Sequence, residues 1–218
     1  SVNSMHDSGS PLAAFVYLFN IGIGEVVFGG VGVGFIGILF YIILTMFITG
    51  LMVGRTPEFL GKKLGPREMV YSLIAIILPS IGLLILSGIT AVNSLPGGFL
   101  RGALNNYGPH GLSEILYAYA SGFGNNGSAF AGFGANTIYF NLTIGFAMIV
   151  GRYATIIPAL AIAGSLAAKK TIHETEATFP TSGLLFIGML VAIVFIIGAL
   201  TYFPAFSLAP LLEHLMMF

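Results

Sequence analysis

The chain contains no cysteine. That absence excludes a disulfide framework, a thiolate metal site and a cysteine nucleophile. Charge is scarce as well: 7% of the residues are Asp, Glu, Lys or Arg, against roughly 25% in soluble domains. The net charge is zero, which argues against nucleic acid as a partner. Enzyme motifs are missing, with no GxxxxGK(S/T) phosphate loop, no HExxH and no GxSxG. The GGVGVG run at 29–34 has the glycine content of a nucleotide-binding loop. It lies inside an apolar stretch with no strand before it, so that match is discarded. The first residue is Ser, and no basic segment precedes a short apolar core. The expectation is therefore a fragment or processed product without a signal peptide.

Apolar residues are what the chain has: 56% of the total, with a mean hydropathy of +0.97. It reads as an integral membrane protein. Thirty glycines fit tight helix packing and irregular backbone. Residues 12–53 are apolar for about twice the ~20 residues that one crossing needs. Glycines are concentrated at 22–34, and each weakens a helix by up to ~1 kcal/mol relative to alanine. The expectation is one long crossing broken within the membrane. A helical hairpin folding back at 28–34 is the alternative, which moves the N-terminus to the other side. Further crossings are expected at 70–92, 138–168 and 184–203, with kinks at Pro79 and Pro158.

Between the crossings at 70–92 and 138–168, residues 111–120 (GLSEILYAYA) read as one short helix and 121–130 (SGFGNNGSAF) as a polar loop. Short helix, polar loop, spanning helix is the layout of a re-entrant pore loop. Non-helical backbone at membrane depth survives only where it is buried in protein or lines a water-filled cavity. Its carbonyls are then suited to replace the hydration shell of a small cation. The basic residues bear on this. Arg55, Lys62, Lys63 and Arg67 precede the crossing at 70–92, and Lys169 and Lys170 follow the one at 138–168. The positive-inside rule puts both clusters in the cytoplasm, which requires an even number of crossings between them. Two crossings satisfy that if 111–130 is re-entrant, and three do not. The loop then opens from the outside, and residues 1–11 and the C-terminal tail face outside too.

Gly124-Asn125-Asn126-Gly127-Ser128 is the candidate cation site. Glycine lets consecutive carbonyls point one way, the negative C-terminal end of the preceding helix favours a cation, and asparagine can brace the loop. An ordinary external turn is the alternative, since Asn-Gly is a common turn pair. Glu25 is a carboxylate within the first crossing, a functional hypothesis by default. Arg152 lies about 17 residues, or ~25 Å of helix, before Lys169, too far to snorkel to the inner surface. The two either neutralise each other or act separately, Glu25 attracting cations or gating and Arg152 forming an electrostatic barrier. Arg55 reads as an orientation anchor, and Thr56-Pro57-Glu58 as a helix start. Lys62, Lys63, Lys169 and Lys170 read as anchors too. His6, Asp7, His110, His173 and His214 show no metal-ligand spacing and read as loop surface. Glu114 is expected to meet water in an outer vestibule or to cap near the helix N-terminus.

Longer stretches resemble the A subunits of Kdp potassium-importing ATPases, the KdpA family, within the superfamily of potassium transporters. They are VNSMHD at 2–7, GEVVFGGVGVG at 24–34, GLMVGRTPEFLGKK at 50–63, GPHGLSEILYA at 108–118, NNGSAFAG at 125–132 and VGRYATIIPALAIAGSLAAKK at 150–170. The resemblance implies an all-α membrane protein of channel-like repeats. Each repeat is a membrane helix, a re-entrant pore loop and a membrane helix, four of them surround a central pore, and one extra helix stands at each end. This chain would be the C-terminal part. Residues 1–53 would end the third repeat with its broken helix, 54–69 form a cytoplasmic loop, and 70–168 the fourth repeat. A second cytoplasmic loop at 169–183 would lead to a terminal helix and external tail at 184–218.

The same resemblance implies roles. Asn125, Asn126 and Gly127, through their backbone, and Ser128 would form the fourth strand of a potassium filter, one quarter of the whole. Where Asn-Asn-Asn-Gly is common in the family, this chain has Gly124-Asn125-Asn126-Gly127, which bears on the rigidity of the loop. Glu25 and 29–34, with Gly29, Gly30 and Gly32, match an intramembrane loop that obstructs the pore below the filter. Arg55 would couple that loop to a partner, replacing the anchor reading, and Arg152 would stand where the pore meets a tunnel toward the pump subunit. The implied cargo is potassium, with no organic cofactor. The implied partners are the P-type ATPase catalytic subunit KdpB, the small subunits KdpC and KdpF, and membrane lipid. ATP hydrolysis would belong to KdpB, since the one aspartate here, Asp7, stands at no phosphorylation motif. The chain is thus expected to be no enzyme on its own, in a bacterial or archaeal plasma membrane. A passive potassium channel or ion-coupled transporter of the same superfamily is the alternative. GEVVFGGVGVG and GRTPEFLGKK favour the pump subunit. A membrane scaffold without a pore is a third reading.

Overall fold

In lipid, backbone amides have no partner but one another, so long apolar runs fold as helices. The computed structural model describes residues 5–24, 33–128, 130, 132–172, 180–181 and 183–218. Along these run α1 (Pro11–Gly22), α2 (Val33–Val53), β1 (Glu58–Phe59), β2 (Lys62–Lys63), α3 (Pro66–Asn93), α4 (Gly108–Gly124), α5 (Ile138–Ala168), α6 (Leu184–Leu208) and α7 (Pro210–Leu215). Four helices, Gly34–Val53, Pro66–Asn93, Ile138–Ala168 and Leu184–Leu208, are long and apolar enough to cross a membrane. α1 and α4, with 12 and 17 residues, fall short of the ~20 that a crossing needs.

The expected crossing at 138–168 coincides with α5, and α3 and α6 run somewhat beyond theirs. α3 and α5 continue through Pro79 and Pro158. α1 stops at Gly22 and α2 begins at Val33, and the break expected within 12–53 falls mostly on residues 25–32, outside the described residues. Glu25, Gly29, Gly30 and Gly32 lie outside the described residues, as does His173. Two expectations need correction. The short helix extends from Gly108 through Gly124. Pro109 presets its first turn, and the left-handed Asn125 (φ 57°) ends it. Thr56-Pro57-Glu58 does not start a helix but leads into an antiparallel hairpin, pairing Glu58 with Lys63 and Phe59 with Lys62. Its turn residues Leu60 and Gly61 have φ of 51° and 68°, the two-residue geometry that suits tight hairpins.

The chain forms two compact units. The first comprises Ser1–Gly24, Pro79–Arg152 and Gly198–Phe218. Its core gathers Leu18 and Ile21 of α1, Ile115, Leu116, Tyr119 and Phe123 of α4, Phe140 and Ala147 of α5, and Tyr202 and Phe206 of α6. α4 packs against α1 and α7 and is buried over most of its length, including Ser113, Glu114 and Ser121. Glycines create the room for its end. A Cβ on Gly151 of α5 would fall 2.0 Å from the Phe123 carbonyl oxygen, and one on Gly82 of α3 would fall 2.4 Å from the Phe123 ring. The second unit comprises Glu25–Leu78 and Tyr153–Ile197. Its core joins Phe40, Ile43 and Met46 of α2, Ala75 of α3, Ile162 of α5 and Phe186 of α6 to Leu64 of the hairpin's exit.

Because the Gly151 contact is with backbone, the neighbour cannot yield by changing rotamer. Gly151→Ala should destabilise the protein by about 1–3 kcal/mol, as overpacking does. A lower thermal midpoint in detergent, against an unchanged or higher midpoint for Gly164→Ala in open space, checks this.

Candidate functional site

α4 delivers its C-terminal carbonyls, the negative end of the helix, to residues 125–128. Asn125 closes the helix through its N–H to the Gly122 carbonyl, 3.2 Å away. Its side-chain Nδ2 donates to the carbonyls of Phe123 (3.2 Å) and Met148 (3.0 Å). Asn126 turns its Oδ1 back on the loop, accepting from Ser121 Oγ at 2.7 Å and from the Ser128 N–H at 2.9 Å. Gly127 has φ +70° with nothing near a built Cβ, so conformation rather than space calls for glycine. Asn126 and Gly127 are exposed, and Asn125 and Ser128 half-buried. The loop carries no ionisable side chain. What it can offer an ion is neutral carbonyl, amide and hydroxyl oxygen. Divalent cations are usually held with the help of carboxylates, so this chemistry suits a monovalent one.

At the other end of α4 the structure corrects the surface reading. Glu114 is 0% exposed. Its carboxylate accepts from the Asn105 and Asn106 N–H groups, both at 3.0 Å, and from Asn106 Nδ2 at 2.9 Å. It caps the loop that enters its own helix and does not face water. His110 lies between Asp7 (Nε2 to Oδ1, 2.6 Å) and Glu213 of α7 (Nδ1 to Oε1, 2.8 Å). Asp7, His110 and Glu114 bring ligand-type atoms within 4.8 Å of one another. Burial alone would lower the His110 pKa, but the hydrogen bonds and charges of Asp7 and Glu213 outweigh it and raise the value above the ordinary 6.5. Both ring nitrogens then donate, and a proton satisfies the geometry without a metal. Burial likewise raises the Glu114 carboxyl, against its hydrogen bonds from Asn106 and Asn105. His6 is not loop surface either, since its Nδ1 meets Tyr117 Oη. His214 is half-buried on α7.

In the second unit, sequence reasoning missed Glu68. It is 0% exposed in the first turn of α3, and its Oε2 accepts from the Gly65 N–H at 2.7 Å, as in a capping box. The same carboxylate accepts from Ser165 Oγ (2.5 Å) and pairs with Lys169 Nζ (2.6 Å). Lys169 Nζ also donates to the Lys63 carbonyl and Lys62 Nζ to the Lys169 carbonyl. Lys62 and Lys169 are thus more than membrane-surface anchors: they fasten the hairpin's second arm to the end of α5. The signal was a Glu three residues after Gly65, just before a long apolar run. Arg55 is half-buried in the turn after α2, its N–H on the Gly50 carbonyl at 2.8 Å. Arg152 is exposed on α5. The structure thus brings Asn125, Asn126, Gly127 and Ser128 into one loop.

Four apolar spans and a short buried helix ending in a neutral polar loop define a multi-pass helical membrane protein. The sequence matches the family model described as potassium-transporting ATPase A subunit, KdpA, over residues 1–215, and the chain belongs to that family. A Mesorhizobium japonicum protein named potassium-transporting ATPase potassium-binding subunit is 51% identical over 217 residues, covering 100% of this chain and 38% of its own length. A Pseudomonas putida protein of the same name is 52% identical over 215 residues, covering 99% of this chain and 37% of its own. In Leptospira interrogans the identity is 51% over 219 residues, covering 100% and 39%. The chain spans less than two-fifths of the length of these curated relatives.

Two outcomes follow from the ionic clusters. A pKa raised in the folded state means that the His110 cluster stabilises fully below pH 6.5 and progressively less as pH rises through the raised value. Glu114, also raised, changes stability in the same direction. The melting temperature in detergent should fall as the pH rises above 6.5, and His110→Gln should flatten that fall. Lys169→Ala should cost about 3 kcal/mol by leaving a buried carboxylate without its counter-charge, read as an earlier denaturant midpoint.

Proposed function

We propose that this chain is part of the potassium-binding, channel-like subunit of an ATP-driven potassium importer, and that residues 125–128 are one strand of its selectivity filter. The observation that carries this is the end of α4. A helix too short to cross presents its negative end to a neutral loop, and Asn125 and Asn126 hold that loop from behind through their side chains. Such a loop offers oxygen ligands without fixed charge, as a site must that both admits and releases a monovalent ion. Membership in the KdpA family and the name shared by the relatives support the same reading.

In this reading potassium is the cargo and enters from outside, with the loop and C-terminus on that side. Glu25, Gly29, Gly30 and Gly32 form the gate below the filter, and Arg55 and Arg152 link the pore to the pump. The pump is the P-type catalytic subunit KdpB, with KdpC and KdpF completing the complex in a bacterial or archaeal plasma membrane. Energy comes from KdpB, and this chain selects and hands over the ion. One strand is a quarter of a filter, so the remaining ligands come from chain outside these residues.

The test uses the full-length subunit in its complex. Gly127→Asp places a charged, β-substituted residue where φ is +70°. It should raise the potassium concentration for half-maximal uptake by at least about tenfold, roughly the loss of one to two neutral hydrogen bonds. Unchanged uptake at limiting potassium, with normal amounts of complex in the membrane, would remove the loop from the pathway.

A further inference from the structure

We propose that Tyr117 is a positioning residue for the loop at 125–128, clamping the loop's exit to the segment around His6 and so setting how strictly the loop discriminates between ions. This rests on the reading of 125–128 as a potassium filter. Tyr117 is 3% exposed on α4. Its Oη lies 2.6 Å from Ser128 Oγ and 2.6 Å from His6 Nδ1, and Ser128 Oγ lies 3.3 Å from the same His6 nitrogen. Three polar atoms from three separate stretches of chain close a triangle. The Tyr117 ring also packs on the Phe130 ring, centroids 4.5 Å apart, and on the His6 imidazole at 5.3 Å. His6 is held in turn against Tyr17 of α1 at 5.1 Å. Tyr117 therefore grips the loop exit twice, by a hydrogen bond to Ser128 and by ring contact with Phe130, itself 3% exposed.

The rest of the loop is held differently. Asn125 and Asn126 fix its entrance and middle onto α4 and α5 through their own side chains. At the exit the Ser128 N–H is tied to Asn126 inside the loop, and the Ser128 side chain reaches outward to Tyr117 and His6. A hydroxyl with one proton donates to one of these partners and accepts from the other, so Tyr117→Phe deletes both bonds and keeps the ring. Functional oxygens must be held to within about 0.5 Å to discriminate. Loosening Ser128 should blur the choice between ions of equal charge before it halts transport. A tyrosine serving only the core would show the opposite pattern, less protein with unaltered ion preference.

The experiment measures initial uptake of potassium and of rubidium by the full-length subunit in its complex. The variants are Tyr117→Phe, Ser128→Ala, the double variant and Gly127→Asp. Tyr117→Phe should raise half-saturating potassium about tenfold, the scale of one to two lost neutral hydrogen bonds. It should narrow the potassium-to-rubidium preference and leave the maximal rate within about twofold. The double variant should be no worse than the worse single one, because both remove the same clamp. An unchanged half-saturation and ion preference in Tyr117→Phe, or multiplying effects in the double variant, overturns the clamp. If Gly127→Asp is impaired at the same time, the filter reading stands without it. If Gly127→Asp is silent too, both readings fall. Should Tyr117→Phe not assemble, Ser128→Ala carries the same test, and an unaltered ion preference in it overturns the clamp.

Discussion

Backbone that leaves a helix inside a protein must still find hydrogen-bond partners, and that requirement shapes both ends of α4. At its entrance, Glu114 turns a buried carboxylate to the N–H groups of Asn105 and Asn106. At its exit, Asn126 Oδ1 takes the Ser128 N–H, and Asn125 Nδ2 covers the Phe123 and Met148 carbonyls. Side-chain oxygens and amides do here what water does on a soluble surface. The exposed stretch at Asn126 and Gly127 can stay irregular because the chain on either side of it is satisfied. Glu68 meets the same demand in the second unit, accepting from Gly65 where the hairpin joins α3.

Packing serves that arrangement. Gly151 and Gly82 approach Phe123 closely, so the last turn of α4 is seated against the backbone of α5 and α3 rather than against flexible side chains. Tyr119, one turn earlier on the same face, hydrogen-bonds to Thr90 of α3 and Thr143 of α5 at 2.8 and 2.9 Å, which ties the helix to the same two neighbours. The filter role proposed for 125–128 needs such a base, since errors in ligand position pass directly into errors of selection. The His110 cluster ties the segment at Asp7 and helix α7 to the start of the same helix. Both ends of α4 are thus anchored by polar groups, the start by ionic ones and the end by neutral ones.

Much of this was legible in the sequence. The crossings were, because a run of apolar residues long enough to cross has one stable form in lipid, and α5 begins and ends where its run does. The irregular loop was, because Asn and Gly at 125–127 cannot extend a helix without cost. The length of α4 was misjudged because Ser121, Gly122 and Gly124 look like loop residues, while Gly122 packs on Ile144 and Ala147 of α5 and the helix runs on to Gly124. The hairpin at 58–63 was misread because Thr-Pro-Glu starts helices as readily as it precedes turns, and a leucine at φ 51° gives no local warning. Glu68 was passed over, although its spacing from Gly65 was a readable capping signal.

The spanning helices, and the place where helix gives way to polar loop, could be read from the order of the amino acids alone. Both follow from local composition and the cost of unpaired backbone. Which polar residues meet is settled only when the helices pack. His110 finds Asp7 and Glu213, each 103 positions away, Lys169 finds Glu68 across 101, and Tyr117 finds His6 across 111. No local pattern encodes such meetings, because hydrogen bonds of this kind depend on how helices are set side by side. That setting is made by the summed fit of apolar surfaces rather than by any one residue.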